Sequence, residues 1–267
     1  EAMKMGAVVF SFQGGEVFLH KDWEEIIRAC KPSQNHIVIT SNGSLINEDI
    51  VKKMKKLKVD TVCFSTDSGI PEEHDKFRKH LGSFNKIMEA MELVRKYKIK
   101  VSMNITMFRN NLYSEGFKKA LDFSKRNKIL ICTILGRPVG NWAGNAEVLL
   151  SKEDLDYYYQ LRKDYPFVFR NNDNNYGQWG CYAVKEMLYM TPFGDVFPCP
   201  YTHISLGNLL EESLEKIRNK AIKIKEYDHY HQLCLTGQDK EFLTKYLPLV
   251  DKKGVVPAQD IFDEYKS

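Results

Sequence analysis

The sequence predicts an α/β protein: a parallel sheet wound through helices, followed by a smaller α+β region. Three observations carry this reading. Short apolar runs alternate with amphipathic segments five times in the first 135 or so residues. Glycine or a polar residue lies at or just past the end of each of these runs. Past Gly140 the alternation stops, and a polar loop, a hairpin pattern and one amphipathic segment take over.

Each element has its own local reason. "GAVVFSF" reads as a strand, and Trp23, Ile26 and Ile27 in "KDWEEIIRAC" share one helix face before Pro32 stops it. "HIVIT" is the second strand; Asn47 then caps a helix with apolar Ile50, Met54 and Leu57. "TVCFST" is the third, and Ser83 caps "FNKIMEAMELVRKYK", where Ile87, Met91 and Val94 recur three and four apart. "KVSMNITM" precedes "YSEGFKKALDFSKR", with Phe117, Leu121 and Ser124 on one side, and "ILICTIL" is the fifth strand. Strands read through helices pair in parallel. Ligands then sit at the carboxyl ends of the strands, which makes Gly14-Gly15-Glu16, Ser41-Asn42-Gly43, Ser65-Thr66-Asp67, Asn104 and Arg137 to Gly140 the residues to watch.

After Gly140, Ser151 and Asp154 resemble a capping box. "RNNDNNYGQWG" reads as a polar loop. "EMLYMTPFGDVFPCP" reads as a hairpin, Leu188-Tyr189-Met190 and Val196-Phe197 about a Pro-Phe-Gly-Asp turn. "SLGNLLEESLEKIRNKA" reads as a helix with Leu210, Leu214, Ile217 and Ala221 inward. The expected divisions are 1–145 for the sheet domain, 146–239 for linker and second domain, and 240–267 for a tail packed on the first.

Composition narrows the function classes. A net charge of +4 with mixed signs offers no basic stripe for nucleic acid. No apolar run approaches the ~20 residues of a membrane span, and a cytoplasmic location is expected. Of six cysteines, Cys30, Cys63 and Cys132 stand alone and read as small apolar residues. Cys181 and Cys199 flank the hairpin, and Cys234 follows His231 by three residues. That spacing suits a metal, zinc or an iron–sulfur cluster alike, as well as ordinary thiols.

Taken in order, these segments resemble the radical S-adenosylmethionine (SAM) superfamily, in the subgroup with a SPASM or twitch auxiliary-cluster domain. "FQGGEVFLH" is similar to the family's Gly-Gly-Glu-Pro motif, with Val17 in place of proline. "ITSNG", "FSTDSGIPEEHDKFRKHLGSF", "CYAVKEMLYMTPFGDVFPC" and "SLGNLLEESLEKI" are similar to the motifs that follow it, over roughly residues 6 to 235. The resemblance implies a partial (β/α)6 barrel of the TIM type, of which the sequence shows five strands. The first strand and its Cys-x3-Cys-x2-Cys loop are expected upstream, because no such loop occurs here.

By resemblance, the cofactors are SAM, a catalytic [4Fe–4S] cluster with upstream ligands, and one auxiliary [4Fe–4S] cluster. Gly14, Gly15 and Glu16 would hold the methionine amino group. Asn42, Ser65 and Asn104 would reach ribose or carboxylate groups, Asp67 would order its loop beside them, and the stretch around Arg137 would approach the adenine. Cys181, Cys199, Cys234 and His231 would be the auxiliary ligands, with His231-x2-Cys234 standing where relatives often have Cys-x2-Cys. Trp142, Trp179, Tyr182, Tyr189, Tyr201 and His203 could line a substrate cleft or pack a domain core. The function expected is hydrogen abstraction from a small polar metabolite, served by a flavodoxin- or ferredoxin-type electron donor. A ribosomal-peptide maturase, a non-catalytic barrel and a zinc-stapled α/β protein are the alternatives.

Overall fold

The computed structural model describes residues 1–171 and 180–265. Trp179 and most of the expected polar loop lie outside the described residues. Two compact units are present, one of Ala7–Ile134 with Ser151–Asn171, the other of Glu1–Gly6, Leu135–Leu150 and Asn172–Ser267.

The first unit holds six strands in one sheet, in sequential order. They are β1 (Val9–Phe12), β2 (His36–Ser41), β3 (Thr61–Ser65), β4 (Lys100–Met107), β5 (Leu130–Leu135) and β6 (Val168–Arg170). The pairs β1–β2, β2–β3, β3–β4 and β5–β6 are parallel. The helices between them are α1 (Trp23–Ala29), α2 (Glu48–Lys56), α3 (Pro71–Arg78), α4 (Ser83–Lys96), α5 (Arg109–Leu112), α6 (Glu115–Asn127) and α7 (Lys152–Asp164). This is the parallel sheet the pattern predicts and the α/β partial barrel the resemblance implies, with one more strand than the five read from the sequence. The three-residue β6 in "YPFVFR" is too short for a periodic signal, and pairing with β5 is what makes it a strand.

Sheet and helices bury the residues that the 2.0 and 3.6 periods select. Ile37, Ile39, Val62, Phe64, Ile105 and Met107 have no solvent exposure, each contributing on the order of 1.5–3 kcal/mol from burial. Ile26 was placed with Trp23 and Ile27 on the inner face of α1, but it is 40% exposed. The start of α4 also differs. Ser83 is its first helical residue and Gly82, at φ 80°, is the cap. Asp75 on α3 does the capping, accepting from Gly82 N (2.6 Å), Phe84 N and Ser83 Oγ (2.8 Å each).

The chain turns into β2, β3, β4 and β5 through Lys31, Lys58, Lys98 and Lys128, all with φ between 49° and 57° and all exposed. Glycine or asparagine usually takes such helix-ending positions.

In the second unit β7 (Tyr189–Met190) and β8 (Val196–Phe197) pair antiparallel as the expected hairpin, with Gly194 at φ 90° in its turn. The helix α8 (Leu214–Ala221) is shorter than "SLGNLLEESLEKI" suggested, because Ser213 caps it. Leu210, expected inward, precedes the cap and is 86% exposed. The segment 240–267 was expected to pack on the barrel. Within the second unit α9 (Lys240–Lys253) and β10 (Val256–Pro257), parallel to β9 (Ile204–Ser205), help to build the core. Phe242, Tyr246, Val250 and Phe262 pack there with Ile204, Ile217 and Tyr227.

Candidate functional site

In the first unit the chemistry gathers at the carboxyl ends of β1 to β4. Gly14 and Gly15 are exposed after β1, and Gly14 has φ 153°. Glu16 caps the short turn Val17–Leu19 by accepting from Phe18 N at 3.4 Å. The same carboxylate reaches across to β2. Ser41 Oγ lies 3.1 and 3.0 Å from its two oxygens, and Asn42 N donates to Oε2 at 2.9 Å. Three protons thereby meet a group with about four acceptor positions, which leaves room for a further donor. The Asn42 side chain turns back to accept from Ser44 N at 2.8 Å. Ser41, read from the sequence only as part of the second strand mouth, is the hydroxyl that holds Glu16.

Ser65 and Asn104 face each other across β3 and β4. Asn104 Oδ1 is a buried acceptor with no partner among the described residues. Asp67 follows, 6% exposed, with its Oδ2 2.5 Å from Arg78 Nε. Burial pushes its carboxyl up to about 6 against the pull of Arg78. Asp67 N donates to His74 Nδ1 at 3.3 Å. Burial, and after it Arg78, holds that imidazole down to about 4, so His74 is neutral and its 3.9 Å approach to Asp67 Oδ2 is not an ion pair. Arg78 also donates to the Ser65 carbonyl at 3.1 Å. Asp67, His74 and Arg78 therefore brace the loop leaving β3.

The second unit brings three thiols to one pocket. Cys181, Cys199 and Cys234 line it with Arg137, Tyr182, Tyr201, Thr202, Tyr227 and Thr236. The thiols are 8%, 9% and 4% exposed and none is in a disulfide. Cys181 N bonds to His231 O at 2.5 Å. Cys199 follows β8, and its Sγ lies 3.2 Å from Thr202 Oγ1. The Cys234 carbonyl accepts from Gly237, Gln238 and Asp239 N ahead of α9. Burial pushes the Cys199 thiol up to about 11, although Thr202 works against it. Among the described residues, no three His, Cys, Asp or Glu side chains converge as ligands of a single ion would.

His231 is not among the side chains lining this pocket. Its ring lies 4.0 Å from that of His229, tilted by 40°, and burial, then His229, lowers its proton affinity. Its Nε2 is buried without a partner among the described residues.

Arg137 stands in the thiol pocket, a place the sequence reading did not foresee. It is 7% exposed and donates to Leu135 O (2.7 Å), Thr236 Oγ1 (3.2 Å) and Cys234 Sγ (3.5 Å). Its guanidinium carbon lies 3.7 Å from the centroid of the Tyr201 ring. Tyr227, absent from the sequence reading, is 1% exposed, and its hydroxyl has no partner among the described residues. "KEYDHYHQLC" gave no local pattern to single it out.

Comparison with known proteins bears on both places. Residues 1–123 match the family model of the Radical SAM superfamily, and residues 181–238 match SPASM, described as an iron–sulfur cluster-binding domain. The chain carries a radical SAM domain followed by a SPASM domain. It is 24% identical over 249 residues to the AdoMet-dependent heme synthase of Methanosarcina barkeri, covering 83% of this chain and 71% of that one. It is 25% identical over 236 residues to the subtilosin biosynthesis protein AlbA of Bacillus subtilis, covering 81% and 50%. Streptococcus suis SuiB, solved with S-adenosylmethionine and with its precursor peptide SuiA, shares the fold with TM-scores of 0.62 and 0.63 at 16% and 17% identity. The match covers 81% of this chain, which spans 55% of SuiB.

Radical SAM and SPASM domains imply SAM and [4Fe–4S] clusters as cofactors. The residues present fit those groups. At the strand mouths, Asn104 Oδ1 is an acceptor awaiting a donor, and Glu16 has capacity left for an ammonium. In the thiol pocket a buried cation has no carboxylate partner among the described residues. An unpaired buried charge is costly, and thiolates on a cluster would supply the missing anion. The orphan Tyr227 hydroxyl calls for an acceptor on the same pocket wall. No helix is long and apolar enough to cross a membrane among the described residues.

Proposed function

We propose that the full-length protein is a radical SAM oxidoreductase acting on a small polar molecule, with one auxiliary [4Fe–4S] cluster held by Cys181, Cys199 and Cys234. The observation that carries this is three buried thiols in one pocket, one of them 3.5 Å from the buried Arg137 guanidinium. When bound, SAM and a reduced [4Fe–4S] cluster supply a 5′-deoxyadenosyl radical for hydrogen abstraction, and an auxiliary cluster supplies a further one-electron couple.

The chain's own residues would do the placing. Glu16, fixed by Ser41 and the Asn42 amide, takes the ammonium of SAM, while Gly14 and Gly15 leave the backbone open to it. Asn104 Oδ1 accepts from its hydroxyl groups, and the Ser65 hydroxyl donates to its carboxylate or hydroxyl groups. Asp67, through Arg78 and His74, keeps the β3 loop in register with them. Such prior fixing of the reactants is where the barrier is lowered. The fourth auxiliary position is left to an exogenous ligand or to substrate, since His231 does not line the pocket. The catalytic cluster and a flavodoxin- or ferredoxin-type donor belong to the whole protein in the cytoplasm.

Peptide maturation is the second reading, favoured by the match to AlbA over 81% of this chain and by the likeness to SuiB, solved with a precursor peptide. Reconstituted anaerobically, full-length protein is expected to hold roughly eight irons, as two four-iron clusters would require, and to cleave SAM on reduction. Bound zinc with no iron would defeat the cluster assignment. Product analysis with metabolite pools and with a neighbouring-gene peptide separates the two substrate classes.

A further inference from the structure

We propose that Arg137 and Tyr227 set the reduction potential of the auxiliary cluster, as two hydrogen-bond donors built into the wall of its pocket to favour the reduced form. This rests on the reading that Cys181, Cys199 and Cys234 hold that cluster.

Geometry carries the argument. Arg137 Nη2 points at Cys234 Sγ from 3.5 Å, while Nη1 donates to Leu135 O and Nε to Thr236 Oγ1. The Tyr201 ring closes the guanidinium face at 3.7 Å, so the head group is fixed on three sides. A guanidinium keeps its proton in proteins, which makes it a donor and a fixed charge toward a cluster and not a ligand. Tyr227 lines the same pocket with Cys181 and Cys199. Its ring is wedged against Phe262, centroids 6.0 Å apart, and its hydroxyl is left with no partner among the described residues.

One-electron reduction adds a negative charge to a cluster. A positive charge that cannot move away, in a site nearly closed to water, stabilises the reduced state more than the oxidised one. A hydroxyl donated to sulfur acts in the same direction more weakly. Thr202 beside Cys199 and Thr236 beside Cys234 contribute short dipoles and no charge. The pocket therefore differs from a neutral thiol site in one feature, the buried cation.

The test is a redox titration of full-length reconstituted protein, followed by electron paramagnetic resonance. The auxiliary signal is identified as the one lost in Cys199→Ala. In Arg137→Met the oxidised-to-reduced ratio at a fixed potential is expected to rise about tenfold, a fall of 59 mV for a one-electron couple. Arg137→Lys should recover part of it, and Tyr227→Phe should shift the same way by less. Iron and sulfide content should remain at the parent level in Tyr227→Phe and Arg137→Lys. Midpoints unchanged in all three variants, with clusters intact, overturn the proposal and leave Arg137 as packing for Tyr201. So does loss of the cluster in Arg137→Met with no shift in the other two. If Cys199→Ala removes no iron and no signal, it is the ligand assignment that fails.

Discussion

Asp67 and His74 are neighbours whose proton affinities are displaced in opposite senses, and the fold feels both. Folding lowers the affinity of His74 from the ordinary 6.5 to about 4. Between those values the unfolded chain binds the extra proton, so this contribution is whole above pH 6.5 and is lost as pH falls toward 4. Folding raises Asp67 from 3.8 to about 6. There the native state binds the extra proton, so its contribution is whole below about pH 4 and is lost as pH rises through 6. In the parent protein the two slopes oppose each other from pH 4 to 6. Urea midpoints against pH should expose each one separately. Asp67→Asn should lose stability on acidification from 6.5 to 4, and His74→Gln should lose it on the rise from 4 to 6. Parallel profiles in the two variants would refute this pairing. The Asp75 carboxyl, held below the usual range first by the Phe84 amide, adds stability that is present above about pH 4 and lost as pH falls below it. Asp75→Ala should lower the melting temperature at pH 7 and make no difference once the carboxyl is protonated.

At the scale of elements, contacts between segments decide what periodicity does not. The loop after β3 meets α6 so closely that a Cβ on Gly69 would lie 2.4 Å from Ala120 N. Gly69→Ala should therefore cost about 1–3 kcal/mol as an overpacking change, read from chemical denaturation; a neutral result would mean that α6 can move. The five longer strands and the hairpin were legible because apolar alternation and turn chemistry agree over several residues. So was the box at the start of α7, where Ser151 Oγ accepts from Asp154 N and Asp154 Oδ2 accepts from Ser151 N. The short β6 was not legible, since three residues carry no period and only β5 makes them a strand. The reach of α8 was overread because Leu209 and Leu210 continue its apolar spacing. The Asn208 carbonyl instead accepts from Glu211 and Glu212 N, and the chain turns there.

For the whole molecule, the ordered series of strand-mouth motifs was enough to reach the superfamily, while the division of labour in the second unit was not. Arg137 follows a strand and reads as a ligand-facing mouth residue; its pairing with Cys234, 97 positions later, leaves no local trace. The same holds for the tail, whose Phe242, Tyr246 and Phe262 reveal their role only when packed with Tyr227. Gly180 adds a test of how the unit closes. It has φ 106°, and a Cβ there would fall 2.0 Å from His231 O. Gly180→Ala should part Cys181 from the His231 backbone and lower auxiliary iron content in full-length protein while SAM cleavage persists; full iron loading would show the bridge to be dispensable. The four lysines that lead into β2 to β5 carry a different consequence. They put primary amines at the base of the parallel sheet, a strand's length from Glu16 and Asn104. Acylation of these four amines would thus leave the strand mouths untouched.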